Sequence, residues 1–289
     1  MNSEKMKKIA CGVFAAFGFL VSAAPFVKDG DRIAFVGDSI TNYGNCPSGF
    51  IGLVMDGLKR SGVKNAVSIG AGVNGDRSNT ILARLDRVLA GKPDIVVLKC
   101  GTNDVGWGKR GCTLDQYKAN ICAILDKCSQ AGVRVVLVTP TMHTEHASSR
   151  ENRLLEGYCE FLRQEARKRS LPLADWNLRM HETLRSGKID GDRMYVLTVD
   201  KLHLNGYGNR LLAETLLETF GVSRSEIEKW IPEWENIPSM AVLLNVWHRP
   251  QFTVSIREYK KLREEARKKK TTVDALLKKI LRDYINTLN

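Results

Sequence analysis

The chain has 289 residues, 43% hydrophobic and 26% charged, with a formal net charge of +12. That composition is ordinary for a folded protein, shows no internal repeat or low-complexity tract, and suits one well-buried domain plus an appendage. The basicity is concentrated at the ends, with eleven Lys/Arg against five Asp/Glu in residues 257–289, so it does not mark the central region as a binder of acidic partners.

Lys5, Lys7 and Lys8 precede an apolar run from Ile9 to Val21, too short for a comfortable membrane span. Val21-Ser22-Ala23 then offers small residues for cleavage. The pattern predicts a secretory signal peptide over residues 1–23, with an uncleaved anchor as the other reading. No other stretch reads as a span, so a secreted or periplasmic protein with no stable membrane span after cleavage is expected. Six cysteines lie outside the signal, an even number that permits disulfides in an exported chain without selecting a pairing. No Cys or His spacing suggests zinc, and no metal or other cofactor is expected.

Strand-like and helix-like segments then alternate. Arg32–Gly37 is a short apolar strand, and residues 49–60 carry Ile51, Val54, Met55 and Leu58 at helical spacing. Ala66–Ile69 reads as a second strand, and Thr80–Leu89 as a helix. Asp94–Lys99 is a third strand after the breaker Gly91-Lys92-Pro93. Leu114–Ala131 is helical, Arg134–Val138 a fourth strand, Glu151–Arg169 an amphipathic helix, Leu171–Trp176 a fifth strand and Gly206–Phe220 a closing helix. Strands that are near-continuously apolar, each followed by a helix, predict an α/β fold with a parallel sheet covered on both faces. Sites in such sheets lie at the carboxyl ends of the strands. The polar clusters Gly37-Asp38-Ser39, Asn74-Gly75-Asp76, Gly101-Thr102-Asn103-Asp104 and Thr139-Pro140-Thr141 all fall there.

Acyl transfer needs a nucleophile, a base, an orienter for the base and donors for an oxyanion. Ser39, at a strand-to-helix turn, is the candidate nucleophile; a serine there also reads as a helix N-cap. Asp200 and His203 are three residues apart, which brings orienter and base to one side of a single turn; a surface loop ending in a helix cap is the competing reading. Gly75 can offer a closely approaching backbone N–H, and Asn103 a side-chain amide, to an oxyanion; a turn glycine and an Asx-turn fit the same residues. Asp38 and Asp104 read as loop-holding carboxylates. Trp107 and His143 are candidate substrate contacts, with simple packing and a surface histidine as alternatives.

Taken together, Gly37-Asp38-Ser39-Ile40-Thr41, Gly72-Val73-Asn74-Gly75-Asp76, Gly101-Thr102-Asn103-Asp104 and Asp200-Lys201-Leu202-His203 resemble the blocks of the SGNH hydrolases, the GDSL-type esterase family. The resemblance spans residues 31–221. It implies a flavodoxin-like three-layer α/β/α sandwich with a five-stranded parallel sheet in the order 2-1-3-4-5. It implies Ser39 as nucleophile, His203 as base and Asp200 as its orienter, with Ser39, Gly75 and Asn103 forming the oxyanion hole. Within the family the chain looks like the carbohydrate acetylesterases, whose partners are acylated small molecules or polysaccharides. No long lid insertion separates Ser39 from Asp104, which suits a short acyl group on a bulky alcohol. Lysophospholipase, thioesterase and sugar O-acyltransferase activities use the same residues and stay open.

The domains expected are the signal at 1–23, the hydrolase at 24–221, a Trp- and Pro-containing connecting segment at 222–250 that reads as irregular but ordered chain, and a basic helical extension at 251–289. In the extension, Phe252–Ile256 reads as a strand, Arg257–Lys270 as a helix, and Thr272 as the cap of a second helix carrying Leu276, Leu277, Ile280, Leu281, Tyr284 and Ile285. The pattern resembles the ribbon-helix-helix module, which raises a homodimer through 251–289 or nucleic-acid binding. An exported chain argues against a nucleic-acid partner.

Overall fold

The computed structural model describes residues 26–186, 196–237 and 255–288. The signal read over 1–23 lies outside the described residues, as do Phe252–Val254 of the strand read at 252–256. Two units divide between residues 244 and 245.

The first unit is built on the strands β1 (Arg32–Gly37), β2 (Val67–Gly72), β3 (Ile95–Lys99), β4 (Arg134–Val138) and β5 (Leu173–Ala174). All neighbours are parallel, and the order is β2-β1-β3-β4-β5, as the resemblance implied. Every residue of β3 is buried, which is why Ile95–Leu98 is apolar without alternation, with Lys99 a buried cation at its end. Helices α3 (Ser78–Leu89), α5 (Leu114–Gln130) and α6 (Arg150–Arg169) bring Ile81, Leu85, Ile121, Ile124, Leu155 and Leu162 into a core with Ala34, Val36, Val96 and Leu98. Helix α2 (Phe50–Arg60) packs with α8 (Gly206–Thr219).

Register positions the site. Gly37 pairs with Gly72 on one side and with Lys99 on the other, so β1, β2 and β3 end side by side. The polar blocks that follow them are therefore neighbours although some 60 residues separate the first from the third.

Two expectations are corrected in the first unit. The fifth strand is only Leu173–Ala174, because Asp175 stops it: its carboxylate accepts from Leu178 N, Thr139 Oγ1 and the Arg163 guanidinium. A helix α7 (Trp176–Ser186) follows, with Trp176 fully buried and donating to Thr141 Oγ1 at 3.0 Å. The connecting segment is not irregular at its start. Residues Arg224–Glu235 form α9, opened by a Ser223/Glu226 capping box and carrying Pro232. Its Trp234 is buried and donates to Asp56 of α2 at 2.7 Å.

The six cysteines are all free thiols. Among the described residues no helix is long and apolar enough to cross a membrane.

In the second unit Ser255 and Glu258 form a capping box for α10 (Ile256–Lys268), so Ile256 is helical rather than the end of a strand. Thr272 caps α11 (Val273–Ile285), as its sequence predicts. Ala266 and Leu276 are buried, whereas Tyr259, Ile280, Leu281, Tyr284 and Ile285 are exposed.

Candidate active site

The serine turn is crowded. A Cβ on Gly37 would stand 2.2 Å from Thr41 Oγ1 and 2.6 Å from the Lys99 carbonyl oxygen, so only glycine passes between β1 and β3 here. Asp38, not Ser39, caps the five-residue helix α1 (Ser39–Tyr43): its Oδ1 accepts from Ile40 N at 2.9 Å. With the cap supplied by its neighbour, the Ser39 hydroxyl is available, and it meets His203 Nε2 at 2.9 Å. Lys99 Nζ is buried 3.8 Å from Asp38 Oδ1 and has no hydrogen-bond partner among the described residues. Burial pushes the Lys99 ammonium below its ordinary range, against the opposing pull of the Asp38 charge.

The second block is laced to the first. Val73 N donates to Gly37 O at 3.0 Å. Gly75 has φ +80°, a left-handed conformation that glycine adopts without strain. Arg84 Nε donates to Asp76 at 2.6 Å, while the same guanidinium reaches the carbonyls of Ala71 at 2.8 Å and Gly37 at 3.2 Å. One cation thus ties the ends of β1 and β2 to the oxyanion-loop candidate.

The third block closes this wall. Asn103 lies in α4 (Thr102–Gly106) and is buried; its Nδ2 donates to the Asp76 carbonyl at 3.0 Å. An amide nitrogen carries two N–H donors, so one remains. No hydrogen bond among the described residues engages the Ser39 or Gly75 backbone N–H. Asp104 is buried and accepts from Ser78 N at 3.0 Å and Ser78 Oγ at 2.5 Å. Burial still raises its carboxyl pKa, outweighing the Ser78 hydrogen bonds that lower it.

The histidine arrives on a loop, not on a helical turn. A bridge between Thr198 and Leu204 and a bond from Val199 N to His203 O at 2.8 Å close the turn, with Lys201 at φ +81°. Asp200 Oδ2 lies 2.7 Å from His203 Nδ1, and Asp200 Oδ1 accepts from the backbone N of His203 at 2.8 Å and of Leu202 at 3.1 Å. Burial works to raise the Asp200 carboxyl, but the bonds from the His203 ring and from the two backbone donors prevail and hold it below the usual range. An ionised Asp200 can only accept, so the proton of a neutral His203 sits on Nδ1 and Nε2 faces Ser39 as an acceptor.

Two residues without a motif seat this loop. The Glu145 carboxylate accepts from the backbone N of Val196, Leu197 and Thr198 and from Thr198 Oγ1, at 2.6 to 2.8 Å. Asn205 donates to Val196 O at 2.9 Å while its Oδ1 caps α8 through Gly208 N at 3.0 Å. Nothing in the sequence marks Glu145. Arg84 leaves a faint signal, a lone cation on the apolar face of α3 formed by Ile81, Leu85 and Val88.

Around the mouth, the Tyr43 ring stands 5.2 Å from the His203 ring and its hydroxyl accepts from Asn74 Nδ2 at 3.3 Å. Trp107 lies over Gly75, and the His143 ring packs against Gly106. Every residue read as part of the site is thereby placed: Ser39, Asp200 and His203 in one hydrogen-bonded chain, Gly75 and Asn103 on the adjoining wall, Trp107 and His143 beside α4. Among the described residues no three His, Cys, Asp or Glu side chains converge as a metal ion would require.

A sheet of this order with a serine–histidine–aspartate chain at its carboxyl edge defines an α/β hydrolytic fold. The sequence pattern of the GDSL-like lipase/acylhydrolase family matches residues 35–211, and the chain belongs to that family. It is accordingly a carboxylic ester hydrolase. Similar solved structures include the acetylxylan esterase Axe2 of Geobacillus stearothermophilus, 22% identical at a TM-score of 0.60, with 68% of this chain and 97% of that chain covered. It has been solved as catalytic mutants in which a serine, an aspartate or a histidine becomes alanine. The acetyl xylan esterase AlAXEase is 30% identical at a TM-score of 0.60, covering 65% of this chain and 98% of that one. LAE5, an α/β hydrolase enzyme from the metagenome of Lake Arreo in Spain, is 19% identical at 0.60, covering 68% and 98%. Comparison with curated proteins returns no match.

Proposed function

We propose that the protein is an exported serine esterase that removes short acyl groups, acetyl foremost, from carbohydrates. The observation that carries the reading is the chain Ser39 Oγ to His203 Nε2 at 2.9 Å and His203 Nδ1 to Asp200 Oδ2 at 2.7 Å. His203 Nε2 takes the Ser39 proton as Oγ attacks the ester carbonyl, and Asp200 stabilises the imidazolium formed. The negative charge that develops on the carbonyl oxygen is met by the N–H groups of Ser39 and Gly75 and the second N–H of Asn103. His203 then gives its proton to the departing alcohol. In the second half, water loses a proton to the same nitrogen and attacks the acyl-enzyme; His203 then returns that proton to Ser39 Oγ as the acid leaves.

Two things support acetyl on sugar: the similar solved structures that are acetylxylan esterases, and an exposed tryptophan at the mouth, whose indole suits a sugar ring. Trp107 and His143 are the substrate contacts in this reading. Export rests on the basic-then-apolar run of residues 5–23.

The test is acetate release from a panel of acetylated polysaccharides, run beside acetyl and long-chain aryl esters. The reading expects acetate release and a preference for the acetyl ester. Preference for long acyl chains would move the protein to the lysophospholipase or thioesterase class, and acyl transfer to added sugar outpacing hydrolysis would make it a transferase.

A further inference from the structure

The third block ends in a cluster that the acyl-transfer chemistry does not use. Trp107 caps the C-terminus of α4, its N–H bonded to Asn103 O at 3.1 Å, so the indole is fixed to the same short helix as the oxyanion amide. A Cβ on Gly75 would stand 3.0 Å from Trp107 Cζ2, which sets the ring edge directly beside the other oxyanion candidate. Trp107 is nonetheless 40% exposed.

Two guanidinium groups accompany it. Arg77 lies 5.0 Å and Arg110 5.2 Å from the Trp107 ring centroid, and Arg77 donates to the Arg110 carbonyl, tying the two arms together. Among the described residues neither forms an ion pair with a carboxylate, in contrast to Arg84, which is bonded to Asp76 from the same turn. Lys109, next to Arg110 in sequence, is exposed and also unpaired among the described residues. Like charges gathered on one ring repel each other, and an anion arriving there would relieve the repulsion. A guanidinium presents a planar fork matched to a carboxylate, and an aromatic face accepts the C–H side of a sugar ring.

We propose that Arg77, Trp107 and Arg110 form a subsite for an acidic sugar, so that the preferred substrate is an acylated carbohydrate bearing a uronate unit next to the acylated one. The two guanidinium groups hold the carboxylate, and the part of the indole that stays exposed beside them contacts the sugar ring. The inference rests on the carbohydrate-esterase reading above and adds the charge of the substrate.

The experiment compares kcat/KM on an acetylated oligosaccharide carrying one uronate with kcat/KM on the same oligosaccharide after its carboxyl group is reduced to the alcohol. An aryl acetate and a short-chain acyl glycerophosphate are run in parallel. The uronate form should be favoured by about three- to tenfold at low ionic strength, the worth of one or two partly exposed charge pairs. The preference should shrink at about 0.5 M NaCl and fall to within about twofold in Arg110→Gln. Equal rates on the two oligosaccharides overturn the subsite while leaving the esterase reading intact, as does a preference that survives Arg110→Gln. Faster cleavage of the glycerophosphate ester than of the uronate assigns the cluster to phosphate and overturns it as well. Cleavage of the aryl acetate with neither oligosaccharide overturns both readings together.

Discussion

On the serine side of the site Asp38, Ser39, Asp76, Asn103 and Asp104 are all buried, and their loops are bound to one another and to Arg84. On the histidine side Asp200 leaves 52% of its side chain in solvent and His203 26%. The loop that carries them is anchored at its base by Glu145 and Asn205. The contrast follows from what each side must do. Donors that stabilise a developing oxyanion are effective only if they are fixed and dry before the charge appears. A base that passes protons to an alcohol and takes them from water needs access to water, and a short hydrogen bond to one carboxylate is enough to orient it.

Substitutions can break or sharpen that contrast. The largest effect is expected for Ser39→Ala, with kcat lowered about 10⁴-fold or more, since the nucleophile itself is lost; wild-type turnover in this variant would refute the assignment. Next comes the buried wall: Asn103→Ala should lower kcat by about 10²- to 10³-fold with little change in KM, because the lost bond forms only in the transition state. Stopped assays over a range of substrate concentration separate the two constants. Glu145→Gln tests the exposed arm. One amide oxygen replaces a carboxylate that accepts four bonds, so kcat should fall about tenfold, far less than for Asn103→Ala. A larger loss would mean that the arm is as strictly placed as the wall.

The smallest effect is in the pH dependence of stability, where the two sides carry opposite signs. Asp200 is held below the ordinary carboxylate range in the folded chain. Its contribution is fully present above the unfolded value of about 3.9 and is lost as pH falls through the lower folded value. Asp104 is raised in the folded chain, so ionising it costs stability as pH climbs from about 3.9 through the higher folded value. Thermal melts should show the wild type losing ground to Asp104→Asn as pH rises above about 4, and losing its advantage over Asp200→Asn only below about 4. Parallel curves for the two variants would remove the electrostatic difference between the sides.

Much of the fold could be read from local pattern. The runs at 33–36, 95–98 and 135–138 are apolar throughout because both faces of those strands are covered, and that requirement is visible residue by residue. Where reading failed, a single polar side chain had changed the outcome. Asp175 stops β5 after two residues and starts α7. The Ser223/Glu226 box starts α9 in a stretch whose tryptophans and prolines suggested irregular chain. That box is a local signal and was there to be read.

By itself the sequence determined the chemistry available. It set a serine after the first strand, an aspartate and a histidine three residues apart, and a glycine and an asparagine after the next two strands. These are properties of residue type and of position relative to strand ends. Tertiary structure decided which competing role each residue took. Asp38 and Ser39 are both good N-caps, and only the folded turn shows Asp38 bonding Ile40 N while Ser39 turns to His203. The Asp200–His203 pair could ride a helix or a loop, and the Thr198–Leu204 bridge with Glu145 chose the loop. Arg84 reaches the ends of two strands and Asp76 at once, and Trp107 gathers Arg77 and Arg110 around its ring. The contacts from Arg84 to Gly37 and from Trp107 to Arg77 join residues tens of positions apart, and no local propensity encodes them, because they exist only once the parallel register has set the strand ends side by side.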